Sequence, residues 1–133
     1  MNEKKILIVD DEPDILSLLE EGFGSEGYEV FAAGSAEEAL DILKQENFMV
    51  MFFDLKLPGM GGIELCKRIR KESQIPIIHA FTGYTNSFSL IECRAAGFDD
   101  FFTKPVALPI LLKAVKDAFG KIERWNFSEH DLS

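Results

Sequence analysis

Ile6-Leu7-Ile8-Val9-Asp10-Asp11-Glu12-Pro13 is an unbroken apolar run that stops at three acids and a proline. Apolar residues in direct succession suit a strand covered on both faces, as in a parallel sheet flanked by helices. The run is bounded by Lys5 and Asp10, so the strand reads as ending at Val9. Pro13 lacks an N–H and carries a φ suited to a first helical turn. Ile15, Leu18, Leu19, Gly22 and Phe23 then fall at i, i+3, i+4, i+7 and i+8, one face of a helix, with Gly27 after it as a stop. The unit is strand, acidic turn, helix.

The same unit recurs along the chain. Tyr28–Ala32, Met49–Phe53, Ile77–Phe81 and Phe101–Thr103 read as four further strands. Between them, Ser35-Ala36-Glu37-Glu38 is a capping box that opens a helix with Ala36, Ala39, Leu40 and Leu43 on one face. A third helix carries Ile63, Cys66 and Ile69. A fourth carries Phe88, Ile91 and Ala95 and stops at Gly97, and a fifth carries Leu111, Ala114, Val115, Ala118, Phe119 and Ile122. The pattern is (βα)₅, without repeats or an internal linker, and right-handed crossovers put helices on both faces of the sheet. Residues 123–133, with Trp125, Phe127 and His130, read as a polar tail too short for a second domain.

Composition narrows the function. The chain has 133 residues, 47% hydrophobic and 28% charged, which suits one soluble domain. The net charge of −9 argues against nucleic acid, which is gripped through neutralised phosphates. Cys66 and Cys93 do not form a Cys-x-x-Cys pair, so they read as thiols in a reducing compartment. No apolar run approaches a membrane span or a signal peptide, and a cytoplasmic location is expected.

The residues at the strand ends carry the chemistry. Strand one is followed by Asp10-Asp11-Glu12, strand three by Asp54, strand four by Thr82-Gly83 and strand five by Lys104-Pro105. Strand two ends in Ala32-Ala33-Gly34 and offers nothing. In an open parallel sheet, ligands bind at the carboxyl ends of the strands, so these four groups should converge. Two carboxylates about 4 Å apart repel by about 4 kcal/mol at an effective dielectric near 20. A hard divalent cation held by oxygens would offset that. A carboxylate beside such a cation and an ammonium can accept a phosphoryl group. Taken singly, each piece has a plainer reading: Asp10-Asp11 as a helix cap, Asp54 as a turn residue, Thr82 as a cap. His79 reads as packed inside strand four and His130 as solvated.

Jointly, Ile8-Val9-Asp10-Asp11-Glu12-Pro13, Phe53-Asp54-Leu55-Lys56-Leu57-Pro58-Gly59-Met60, Ala80-Phe81-Thr82-Gly83 and Gly97-Phe98-Asp99-Asp100-Phe101-Phe102-Thr103-Lys104-Pro105 resemble the bacterial response-regulator receiver. The resemblance covers about residues 4–122. It implies an α/β fold, a flavodoxin-like (βα)₅ doubly wound parallel five-stranded sheet in the order 2-1-3-4-5, over residues 1–122. It implies that Asp54 is the phosphorylation site and that Asp10, Asp11, Asp54 and the Lys56 carbonyl hold Mg²⁺. Thr82 would be the switch hydroxyl, Lys104 the phosphoryl contact, Phe101 the switch aromatic, and the Lys104–Pro105 bond cis. Such a domain is a signalling switch that promotes its own phosphorylation and dephosphorylation. It takes the phosphoryl group from a sensor histidine kinase or histidine phosphotransfer protein and reads it out through helix four, strand five and helix five. Lys56 and Tyr84 occupy positions that tune lifetime in relatives, and both are long side chains without a group to orient water, so slow decay is expected. Phe88, Phe98 and Phe102 read mainly as packing near the readout face. Gly61 replaces a frequent Asp and Phe101 a frequent Tyr, so a changed turn and a switch aromatic without a hydroxyl are expected.

Other classes fit less well. A haloacid-dehalogenase-like phosphatase needs an acid two residues after its nucleophile, where this chain has Lys56. A flavodoxin-like cofactor binder needs a phosphate loop after strand one, where three acids would repel it. A pure interaction module on the same fold differs only in lacking Mg²⁺-dependent phosphorylation.

Overall fold

A computed structural model describes residues 4–83 and 90–132, with side chains as far as residue 125. The elements are β1 (Lys5–Val9), α1 (Pro13–Gly24), β2 (Glu29–Ala33), α2 (Ala36–Leu43) and β3 (Val50–Asp54), then α3 (Gly62–Glu72), β4 (Ile77–Thr82), α4 (Leu90–Ala96), β5 (Asp100–Thr103) and α5 (Leu108–Leu132). The strands are all parallel, in the order β2-β1-β3-β4-β5. This is the flavodoxin-like α/β sheet expected from the sequence.

Side-chain alternation along the strands splits the core in two. Leu7, Val9, Met51, Phe53, Ile78 and Ala80 pack with α2, α3 and α4. Ile6, Ile8, Val50, Phe52 and Phe81 pack with α1 and α5, through Leu19, Phe23, Leu111, Val115 and Phe119. The register levels the strand ends: Val9 sits opposite Phe53, Asp54 opposite Phe81, and Thr82 opposite Thr103. The acids, Thr82 and Lys104 therefore emerge along one rim.

Several elements differ from the sequence reading. Asp54 and Thr82 are the last residues of their strands, not the first beyond them. α1 ends at Gly24, before Gly27, and Leu18 is 55% exposed because Leu19 and Phe23 fill the inward row. In α4 the stripe is rotated. Cys93 and Ala96 are buried, whereas Ile91 is 81% exposed and Ala95 also faces out. Close approach to α3 selects the small residues, and the Cys66 thiol donates to the Ala96 carbonyl at 3.4 Å. Phe88 lies outside the described residues. The segment read as a polar tail continues α5 through Leu132; it contains neither Gly nor Pro to stop the helix.

Gly97 ends α4 with φ +109, a conformation costly for any other residue. Arg70 fastens that turn: its Nε donates to the Gly97 carbonyl at 2.9 Å and its guanidinium meets Asp99 at 2.9 Å. Asp99 in turn accepts the Ile78 N–H at 2.8 Å, tying α3, the α4–β5 turn and β4 together. Cys66 and Cys93 are free thiols, and burial pushes Cys66 up to about 12. No helix among the described residues is long and apolar enough to cross a membrane.

His79 is packed in β4 as expected, between Phe52 at 4.7 Å and Phe102 at 5.7 Å. Neither ring nitrogen has a hydrogen-bond partner among the described residues. Burial lowers its pKa below the ordinary 6.5, against the pull of Asp100 and Asp99. The unfolded chain thus binds the proton more readily, and stability falls as pH drops below about 6.5. His79→Phe should remove that part of the acid sensitivity and raise stability by about 1 kcal/mol at pH 7. Urea unfolding at pH 7 and pH 5.5 checks this, and an unchanged pH dependence would refute it.

Candidate functional site

Four elements deliver the site. β1 hands over to Asp10, β3 ends in Asp54, β4 ends in Thr82, and β5 leads into Lys104 and a cis bond to Pro105. Asp10 and Thr82 are fully buried and Asp54 is 2% exposed. Backbone bonds fix the rim: Asp10 N–H to the Ala33 carbonyl at 3.0 Å, and Lys104 N–H to the Thr82 carbonyl at 2.9 Å.

The Lys104 ammonium lies at the centre. It donates to Asp10 Oδ2 at 2.7 Å, Asp54 Oδ2 at 3.1 Å and Glu12 Oε2 at 3.1 Å, with the Phe81 ring 4.9 Å away. Asp10 Oδ1 accepts the Glu12 N–H at 2.8 Å, and Asp54 Oδ1 accepts the Lys56 N–H at 3.4 Å. Burial pushes both aspartates above the ordinary carboxylate range; hydrogen bonds and charge from Lys104 pull them partly back. Burial works against the Lys104 charge, but its bonds to Asp10, Glu12 and Asp54 outweigh that and raise its pKa. One ammonium facing three carboxylates leaves the rim with surplus negative charge.

Oxygens of Asp10, Glu12 and Asp54 lie within 4.8 Å of one another. A hard divalent cation fits such a donor set, since it binds carboxylate oxygens and relieves their repulsion. Asp11 is exposed and stands outside this triad, yet its charge contributes to raising Asp54. Lys56 directly follows Leu55 on the rim and its side chain is exposed. Phe101 is half-buried against the α2–α4 side of the core. Tyr84 lies outside the described residues. Gly61 is the N-cap of α3 in extended backbone, φ −82 and ψ 171, without a side-chain cap. What the missing Asp removes there is a helix cap, while the residues on the rim remain.

Glu12 is the group that the sequence reading left without a role. The signal was its position: Glu is a poor N-cap, and it stands where α1 needs one.

Comparison with known proteins places these features in a family. The model of the response regulator receiver domain matches residues 6–116. A CheY-like response regulator receiver domain protein from Methanospirillum hungatei is 36% identical, with a TM-score of 0.86 over 92% of this chain and 98% of its own. The response regulator protein TrrA of Thermotoga maritima, in complex with Mg(2+)-BeF, is 35% identical, with a TM-score of 0.78 over 86% of this chain and 98% of its own. The BeF3-activated DrrB receiver domain is 29% identical, with a TM-score of 0.82 over 90% and 99%. With the family match spanning most of its length and the acidic rim in place, the chain belongs to the response regulator receivers, the phosphoaccepting signalling switches of two-component systems.

Proposed function

We propose that Asp54 is the phosphoacceptor, with Asp10, Asp11, Asp54 and the Lys56 carbonyl holding Mg²⁺, Lys104 and Thr82 receiving the phosphoryl oxygens, and Phe101 following Thr82. The observation that carries this reading is the buried Asp54 carboxylate sharing one ammonium with a second buried carboxylate, Asp10, at the end of the central strand. Asp54 Oδ attacks phosphorus, the bond from phosphorus to the donor's histidine nitrogen breaks, and the nitrogen keeps the electron pair. The products are an acyl phosphate on Asp54 and, once that nitrogen has taken up a proton from solvent, an ordinary imidazole on the donor. Mg²⁺, when bound, neutralises phosphoryl oxygens as charge shifts in the transition state. Lys104 supplies a fixed positive charge on the other side, and the Thr82 hydroxyl donates to a phosphoryl oxygen. Lys56, exposed beside the acceptor, crowds the approach of water and slows hydrolysis.

Receiver domains accept phosphate from histidine kinases, and the surface beside Lys104 suits a helix bearing phosphohistidine. A cleft of about 510 Å³ opens there, lined by Ile15, Leu18, Val106 and Leu111 along with Glu12 and Lys104. A sensor kinase or histidine phosphotransfer protein is the partner proposed for it. The new phosphoryl group adds charge and three acceptor oxygens. Reversing a 1:99 population takes about 5.5 kcal/mol, of which charge-assisted bonds to Lys104 and Thr82 supply a large share. Readout falls to α4, β5 and α5, where Leu90 and Ile91 stand exposed beside Phe101.

Acetyl phosphate with Mg²⁺ should add one phosphoryl mass to the intact protein, and Asp54→Asn should abolish the addition. The same spectra, followed after donor removal, give the lifetime. Undiminished labelling of Asp54→Asn overturns the assignment.

A further inference from the structure

Glu12 occupies the N-cap of α1 but makes no side-chain bond to the helix. Its carboxylate turns across the rim and meets Lys104 Nζ at 3.1 Å, the distance at which Lys104 also meets Asp54. An ammonium has three N–H donors. Here Asp10, Glu12 and Asp54 take one each. A phosphoryl group on Asp54 takes over the Lys104 bond that the esterified carboxylate gives up, but it can gain a second bond from Lys104 only if Asp10 or Glu12 lets go. Releasing Asp10 strips a fully buried carboxylate of its counter-charge, which is costly. The Glu12 side chain is 59% exposed and returns to water at little cost.

We propose that Glu12 is a positioning residue that holds, in the resting protein, the second Lys104 N–H that the phosphoryl group can use. It acts as an internal competitor: an anion tethered next to Lys104 that the phosphoryl group has to displace. Resting Lys104 is thereby kept over the acceptor in a fixed orientation, and the phosphorylated state is made less favourable than the bare rim would make it. This inference rests on the roles proposed for Asp54 and Lys104.

The test uses beryllofluoride as the phosphoryl stand-in at saturating Mg²⁺, titrated by calorimetry into the full chain and two variants. Glu12→Gln removes the charge and keeps the length. Glu12→Asp keeps the charge and shortens the reach by one methylene, so the contact with Lys104 is lost. Both variants should bind beryllofluoride about two- to five-fold tighter than wild type, the range an exposed ion pair supports. Both should also be phosphorylated faster by acetyl phosphate. Tightening in Glu12→Gln alone overturns the proposal, because charge at a distance and not the Lys104 contact is then responsible. Weaker or unchanged binding in both overturns it as well, weaker binding marking Glu12 as a metal ligand. Failure of wild type to bind beryllofluoride at all overturns the underlying reading of the site instead.

Discussion

Lys104→Met should destabilise the metal-free protein by about 3 kcal/mol at pH 7, because it leaves buried carboxylates without their counter-charge. Lys104 is the ammonium that pairs with both Asp10 and Asp54, whose side chains are 0% and 3% exposed. Methionine fills similar volume against Phe81, so packing contributes little to the loss. The dependence on pH separates charge from packing. Burial raises both aspartates above 3.8, so their protonated forms are favoured in the fold. Such groups add stability at low pH and lose that contribution as pH rises through their folded pKa. Without Lys104 the upward shift grows, so the cost of Lys104→Met should shrink towards pH 4 and widen towards pH 7. Mg²⁺, binding only the folded rim, should restore part of it. Urea unfolding at several pH values, with and without Mg²⁺, reads all of this. A loss below 1 kcal/mol, or one equal at every pH, would count against the electrostatic account.

Gly62→Ala is expected to cost about 3 kcal/mol and to slow phosphorylation. Alanine ordinarily improves a helix over glycine by up to about 1 kcal/mol, so the sign is informative. Gly62 opens α3 and donates its N–H to the Leu55 carbonyl at 3.0 Å. A methyl group here would overlap the Asp54 carbonyl oxygen and press on Leu55 Cα at 3.0 Å. Those are backbone atoms of Asp54, the proposed acceptor, and of Leu55, and they cannot rotate aside, so the helix or the end of β3 has to shift. Gly24→Ala is the matched control: nothing lies within 4 Å of its added methyl. Thermal unfolding of both variants and the rate of acetyl phosphate labelling decide the matter. A Gly62→Ala protein as stable and as reactive as wild type would show that α3 backs away at no cost.

The strands and the rim were legible because their signals are continuous or categorical. Ile6–Val9 and Val50–Phe53 are apolar without interruption, and Asp54, Thr82 and Lys104 are chemically distinct from what precedes them. Ser35 was readable as a cap, and its Oγ accepts the Glu38 N–H at 3.1 Å. The orientation of α4 was not legible. Its seven residues present apolar side chains on more than one face, and only the closeness of α3, held by Cys66 against Ala96, selects Cys93 and Ala96 for burial. Periodicity finds a stripe; it cannot say how near the neighbouring helix comes. The partner of Glu12 was hidden for a different reason. Its contact with Lys104 spans ninety-two positions and depends on β1 and β5 ending at the same level, which no local pattern encodes. The continuation of α5 past Ile122 was obscured by polarity: a helix leaving the core loses its apolar stripe without losing its backbone bonds.

β2 and β5 are the outer strands of the sheet, and each is paired on one side only. The unpaired side of such a strand is a template on which a second molecule could add its own strand. Here β2 opens on exposed Glu29, and β5 is four residues long, opens on exposed Asp100 and runs into Pro105. An exposed acid at the start of each outer strand, in a chain that carries −9 overall, disfavours such addition. Acids remote from the phosphoryl chemistry thus work against extension of the sheet into a second molecule.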